Sequence, residues 1–177
     1  MKPSSPVLDD AHALKCELAA EVLHSSGTLR LQVTGWSMLP SIWPGDTLVI
    51  KSAGRGEVFD GDIVLCGRDR RIFAHRVIEN SRSAEFGVVT RGDAMPAADA
   101  PVSNGELLGK VSFILRKGTR IEPRRSLRLP QRAVAALVRR SEMAARVVVG
   151  AHGLREALLH RIAGAKNPRN REVACQN

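Results

Sequence analysis

One serine stands out by its setting. Ser37 lies within Gly35-Trp36-Ser37-Met38-Leu39-Pro40-Ser41-Ile42-Trp43-Pro44-Gly45-Asp46, which holds both tryptophans of the chain. Glycine and proline at this density exclude a regular helix or strand. The backbone must turn sharply here, between the strand-like runs Leu29–Val33 and Thr47–Ile50. A serine held rigidly in such a turn presents its Oγ, which is what acyl transfer requires. The competing reading is a proline-rich loop whose serine caps a turn. A hydroxyl is a poor nucleophile at neutral pH, so acyl transfer also needs a base within hydrogen-bond reach.

Further boxes follow in order: Gly61-Asp62-Ile63-Val64, Ala74-His75-Arg76-Val77-Ile78, Thr90-Arg91-Gly92-Asp93, then Asp99 and Gly109-Lys110-Val111. Together with Gly35, Ser37, Met38, Pro40, Ile42, Pro44, Gly45 and Asp46, this ordered set resembles the signal peptidase I family. That family belongs to the clan that also holds LexA-type self-cleaving repressors. The resemblance runs from Leu29 to Leu115. It implies a serine endopeptidase that cuts a precursor protein or peptide and needs no cofactor or metal. The clan places either a lysine or a histidine as base at the strand position of His75. The histidine form is similar to the archaeal and endoplasmic-reticulum branch. The resemblance therefore implies Ser37 as nucleophile and His75 as general base. An imidazole can take the Oγ proton near neutrality without the burial a lysine needs.

A histidine base also needs an acceptor on its second ring nitrogen. The resemblance supplies two carboxylates, Asp93 and Asp99. Asp99 is favoured as the orienting group, with Asp93 ordering its loop; the reverse assignment stays open. The Ser37 N–H is the expected oxyanion donor, and Met38 and Pro40 are expected to shape the floor of a substrate groove. Two features depart from the family. Ala94-Met95-Pro96 follows Asp93 where the branch often carries asparagines, and no membrane anchor is visible. The alternative within the clan is a regulatory or peptide-binding module that self-cleaves once or no longer cleaves.

The elements that must position these residues are mostly β. Leu29, Leu31 and Val33 alternate with polar residues, the mark of a half-buried strand. Short apolar strands are predicted over 47–50, 62–66, 71–78, 86–90 and 107–115. In the fourth of these six strands, Phe73, His75 and Val77 share one face, and Ile72, Ala74, Arg76 and Ile78 the other. Val7–Ser26 reads as an amphipathic helix that packs on the β domain, with Ala11, Leu14, Leu18 and Val22 on one face. Asp9 or Asp10 can cap its start and Gly27 can end it. The expected organisation is an N-terminal helix (1–28), a compact signal peptidase/LexA-like β domain (29–118) and a basic linker with helical tail (119–177). The tail should carry one helix from Pro130 to Val149 and a second marked by Leu154, Leu158 and Ile162.

The net charge of +9 is segregated. Residues 1–115 hold 12 Lys/Arg against 14 Asp/Glu, whereas residues 116–177 hold 15 against 4. Basic helices with apolar positions suit peripheral docking on a membrane surface or a protein. Scarce aromatics and the lack of a helix-turn-helix oppose nucleic acid as a partner. Cys16, Cys66 and Cys175 have neither metal nor disulfide spacing and read as reduced thiols. No stretch has the roughly 18 apolar residues a membrane span needs. No signal-peptide h-region precedes the helix. A cytoplasmic location is the expectation, with attachment to a membrane surface open as a role for the tail.

Overall fold

A computed structural model of the chain describes residues 6–80, 87–140 and 147–151. Helix α1 (Pro6–Ser26) leads into seven strands: β1 (Thr28–Gln32), β2 (Thr47–Ser52), β3 (Ile63–Arg68), β4 (Arg71–Asn80), β5 (Val88–Arg91), β6 (Leu107–Arg116) and β7 (Thr119–Ile121). Helix α2 (Leu129–Arg140) follows. The strands form one sheet in the order β1-β2-β6-β3-β4-β5, with β7 beside β6. Every pairing is antiparallel. The mostly β class read from the sequence is the observed one.

Strand β3 explains the sheet's central layer. Its Ile63-Val64-Leu65-Cys66 run is apolar on both sides, as a strand covered on two faces must be. Ile63 and Leu65 join one core cluster with Ile42, Leu48, Ile50 and Ile114. Val64 and Cys66 join a second with Val58, Val77, Val88 and Val102. Burial pushes the Cys66 thiol up to about 12, which makes it inert as a nucleophile near neutrality. The turn from β3 to β4 is a two-residue hairpin in which Asp69 and Arg70 both have positive φ, 50° and 59°. That matches the twist of the flanking strands and fixes the register of β4. Val64 thereby lies opposite His75, and Ile63 opposite Arg76.

Helix α1 packs through a different face from the one expected. Ala19 and Leu23 are buried, whereas Leu14, Leu18 and Val22 are exposed. The reason is steric. Cys16 Sγ lies 2.6 Å from where a Cβ on Gly67 would stand, so the small residues Cys16 and Ala19 bring this face, with Leu23, closer to the sheet than the Leu14–Leu18–Val22 stripe would come. The helix begins at Pro6, so Asp9 and Asp10 lie inside it rather than at its cap. Gly27 ends it with φ +67°, and its N–H donates to the Leu23 carbonyl at 3.0 Å.

The stretch read as a linker is fastened to the sheet. Residues Thr119–Ile121 pair with β6 as β7. The Arg125 Nε donates to Asp62 Oδ1 at 3.1 Å. Helix α2 buries Ala135 and Val138, and Val138 packs with Leu39 and Ala94 on the loops around Ser37. Residues 147–151 are also helical; Val148 and Val149 pack on this cluster. Cys175 and the helix marked by Leu154, Leu158 and Ile162 lie outside the described residues. Among the described residues no helix is long and apolar enough to cross a membrane.

Two substitutions separate the faces of α1. Leu23→Ala should lower the unfolding free energy by about 2–4 kcal/mol, because it empties a core position. Leu18→Ala should change it by less than about 0.5 kcal/mol. Urea denaturation of both variants checks this. A larger effect from Leu18→Ala would show that the helix packs through the leucine stripe.

Candidate active site

Three side chains from separate segments form a continuous hydrogen-bonded chain. His75 Nε2 lies 3.1 Å from Ser37 Oγ, and His75 Nδ1 lies 2.6 Å from Asp99 Oδ2. Strand alternation sets the histidine: His75 projects to the face that carries Phe73, and the two rings stand 5.0 Å apart. Residue His75 is buried, and Ser37 and Asp99 are partly exposed, so the chain runs from the sheet interior to an accessible hydroxyl.

The serine turn is fixed from several sides. The Asp46 carboxylate accepts from the Trp43 N–H at 2.8 Å, and from Arg116 Nε at 2.9 Å and Nη2 at 2.7 Å. Trp43 Nε1 donates to the Pro40 carbonyl at 2.9 Å. The Leu39–Pro40 peptide is cis. The Ser37 carbonyl accepts from the Ala94 N–H at 2.8 Å, which ties the turn to the segment after β5. Among the described residues the Ser37 N–H has no acceptor. Asp46 and Asp62 serve turns: Asp62 Oδ2 accepts from the Phe59 N–H at 3.1 Å.

Asp99 is held by its own shell. Its N–H donates to the Thr90 carbonyl at 2.8 Å, and Thr90 Oγ1 donates to Asp99 Oδ2 at 2.7 Å. The next two carbonyls, of Ala100 and Pro101, accept from Arg68 Nη1 at 3.0 Å and Nη2 at 2.7 Å. Glu106 completes this clamp by pairing with Arg68 Nε and Nη2. The hydrogen bond from Arg68 brings the Glu106 carboxyl down to about 2.

Asp93 goes elsewhere. Its carboxylate accepts from Arg76 Nε and Nη2, both at 2.8 Å, and from the Ser41 hydroxyl. Arg76 Nη1 reaches on to the carbonyls of Gly61 and Arg124. Arg139 grips the Asp93 carbonyl through Nε at 3.1 Å and Nη2 at 2.9 Å. Asp93 thus sits in a buried ion pair that orders the loop between β5 and Asp99, while Asp99 alone of the two carboxylates faces the imidazole.

Between Asp93 and β5, Gly92 has no room for a side chain. A Cβ there would stand 2.7 Å from the Ser37 carbonyl oxygen and 3.1 Å from His75 Nε2. The sequence reading did not assign Ser41, Thr90, Arg68, Arg116 or Arg139. Arg76 and Thr90 were visible only as members of boxes, and the others carry no local signal. Met38 lines a cleft of about 220 Å³ beside Ser37, together with Leu31, Val33, Ile72 and Ala74. Pro40 does not line it; it borders a separate cleft near Arg116 and Pro123. No grouping of His, Cys, Asp and Glu among the described residues could hold a metal ion.

An antiparallel β domain with a serine–histidine–aspartate hydrogen-bonded chain at one edge defines the class of architecture. The chain matches the Peptidase S24-like family model over residues 5–112. It belongs to that family, within the clan of LexA and the signal peptidases. Membership implies a peptide or protein substrate. No curated protein and no solved structure gives a match.

Asp93→Ala should cost about 3–5 kcal/mol of stability, since it strands the Arg76 guanidinium in the interior. Chemical denaturation measures this. The Glu106 carboxyl has a lowered folded value, so its contribution to stability is complete above about pH 4.5 and lost as pH falls toward 2. Glu106→Gln should therefore flatten the pH dependence of the melting temperature in that window. Unchanged slopes would show that Glu106 is not coupled to folding.

Proposed function

We propose that the protein is a serine endopeptidase that cleaves a precursor protein or peptide through Ser37, His75 and Asp99. The observation that carries this is the pair of contacts on one imidazole, 3.1 Å to Ser37 Oγ and 2.6 Å to Asp99 Oδ2. His75 takes the Oγ proton as Ser37 attacks the scissile carbonyl. Asp99, fixed by Thr90, holds the ring and stabilises the imidazolium. The acyl-enzyme forms as His75 returns the proton to the leaving amine, and water then enters by the same route in reverse. The acceptor-free Ser37 N–H is the oxyanion donor. Asp93 has no chemical step in this scheme; it positions the loop through Arg76.

The groove supports an extended substrate. Among the described residues, β1 at the end of the sheet has no strand on its outer side. Residues 71–75 of β4 pair with β3 on one side, while β5 pairs only with residues 76–80. A peptide that adds as a strand beside these edges has its backbone bonded and its carbonyl carried to Ser37. Apolar Leu31, Val33, Ile72 and Ala74 would take its alternate side chains. Histidine rather than lysine at position 75 supports the histidine branch of the signal peptidase family as the finer assignment. Residues of the basic tail, most of them outside the described residues, would serve peripheral docking on a membrane surface or protein.

Family membership also fits a self-cleaving regulatory module, and kinetics separates the two. Purified protein should cleave peptides with small residues before the scissile bond. Ser37→Ala and His75→Ala should each lower kcat/KM by about a thousandfold or more, because the pair acts as one unit. Asp99→Asn should lower kcat with little change in melting temperature. Cleavage of added peptide by wild type and Ser37→Ala alike would refute the assignment. A Ser37-dependent cut in its own chain, at a rate independent of concentration, would favour the self-cleaving module.

A further inference from the structure

A second cleft, of about 380 Å³, lies on the opposite side of β4 from His75. Strands β4 and β5 form one wall, through Arg76 and Arg91; α2 forms the other, through Arg132 and Arg139. Ser126 adds a hydroxyl at its rim. The four guanidiniums are not equivalent. Arg76 is neutralised by Asp93, the one carboxylate in the lining among the described residues. Arg139 donates two bonds to a carbonyl oxygen, which satisfies part of its fork, and it has no carboxylate partner among the described residues. The side chains of Arg91 and Arg132 make no hydrogen bond or ion pair among the described residues.

Cations from a strand pair and from a helix are gathered here. Arg76 and Arg91 stand directly opposite in the β4–β5 register, and Asp93 pairs with Arg76 rather than Arg91. Arg132 and Arg139 are seven residues apart, two turns of α2, and so point to the same side. Three cations without a carboxylate partner among the described residues thus converge on one concave site. Guanidinium forks match the oxygens of a phosphate group, and the volume lies in the range of small-molecule sites. A carboxylate would balance one charge of three, whereas a phosphate monoester or pyrophosphate balances two or more.

We infer that the cleft between β4–β5 and α2 binds a phosphate group through Arg91, Arg132 and Arg139. The site is separate from the groove beside Ser37, and the inference does not depend on proteolysis. Its occupant would bridge the sheet to α2. Arg139 holds the carbonyl of Asp93, whose neighbour Ala94 donates its N–H to the Ser37 carbonyl. Occupancy therefore clamps α2 on the loop that backs the serine. The phosphate can come free in solution or on a lipid headgroup.

The test uses the full chain. Calorimetry and thermal unfolding are run with sodium pyrophosphate against sodium chloride of equal ionic strength. Co-sedimentation is run with phosphatidic acid vesicles against phosphatidylcholine vesicles. Wild type should bind at least one phosphate probe above its control. Binding to pyrophosphate alone identifies a free phosphate, and binding to vesicles alone identifies a headgroup. The double variant Arg91→Gln/Arg132→Gln should weaken that binding by at least about tenfold. Its unliganded melting temperature should stay within about 2 °C of wild type, since neither side chain makes a bond to lose. Arg30→Gln/Lys51→Gln, with the same change in net charge on the exposed β1–β2 surface, should bind as wild type does. The inference fails if neither probe binds above its control, if the cleft variant binds like wild type, or if the surface variant loses as much.

Discussion

A guanidinium withdrawn from water must keep an anion beside it, because breaking such a pair costs far more than the pair itself contributes. Arg76 is in that position. Its side chain is 9% exposed and that of Asp93 4%. The remaining donors of Arg76 reach Ser41 on the serine turn, Gly61 before β3 and Arg124 after β7. Four other segments of the chain are thereby held to one charge. None of them touches the His75 imidazole through Asp93, yet the place of Ser37 relative to His75 depends on where this pair draws the turn and the loop.

Strand β4 is where the two demands meet. Successive side chains of a strand point to opposite faces. His75 and Arg76 are neighbours, so one residue step separates the face that meets Ser37 from the face that carries the structural charge. A slip of one residue in the β3–β4 register would exchange them. The two-residue hairpin at Asp69–Arg70, with both φ angles positive, sets that register at its near end. The break between Val77 and Glu79 in the pairing with β5 follows only after both residues are placed.

The sequence made the residues of the hydrogen-bonded chain legible and left their supports hidden. Ser37 is conspicuous because few stretches combine Gly, Pro and Trp so densely, and His75 because it interrupts an apolar strand within an ordered set of boxes. The clamp of Arg68 on the carbonyls after Asp99, and the grip of Arg139 on Asp93, join residues 32 and 46 positions apart; no local pattern encodes such pairs. The face of α1 was misread for a related reason. Leu14, Leu18 and Val22 form the more apolar stripe, but packing was decided by the sheet surface at Gly67, which accepts the smaller Cys16. Strand β7 was hidden because Lys117-Gly118, which turns β6 back on itself, reads equally well as the end of a domain.

Gly92 carries a consequence for how this sequence can drift. The obstruction there is to a Cβ atom, and every other amino acid has one. One neighbouring atom is backbone, the Ser37 carbonyl oxygen, which cannot swing aside as the end of a flexible side chain can. Gly35, two residues before the serine, has nothing within 4 Å of its notional Cβ. The two glycines look alike in the sequence, but their mutational neighbourhoods differ. Position 35 has sterically open single-step replacements. Position 92 has none that leaves the Ser37 carbonyl where it is.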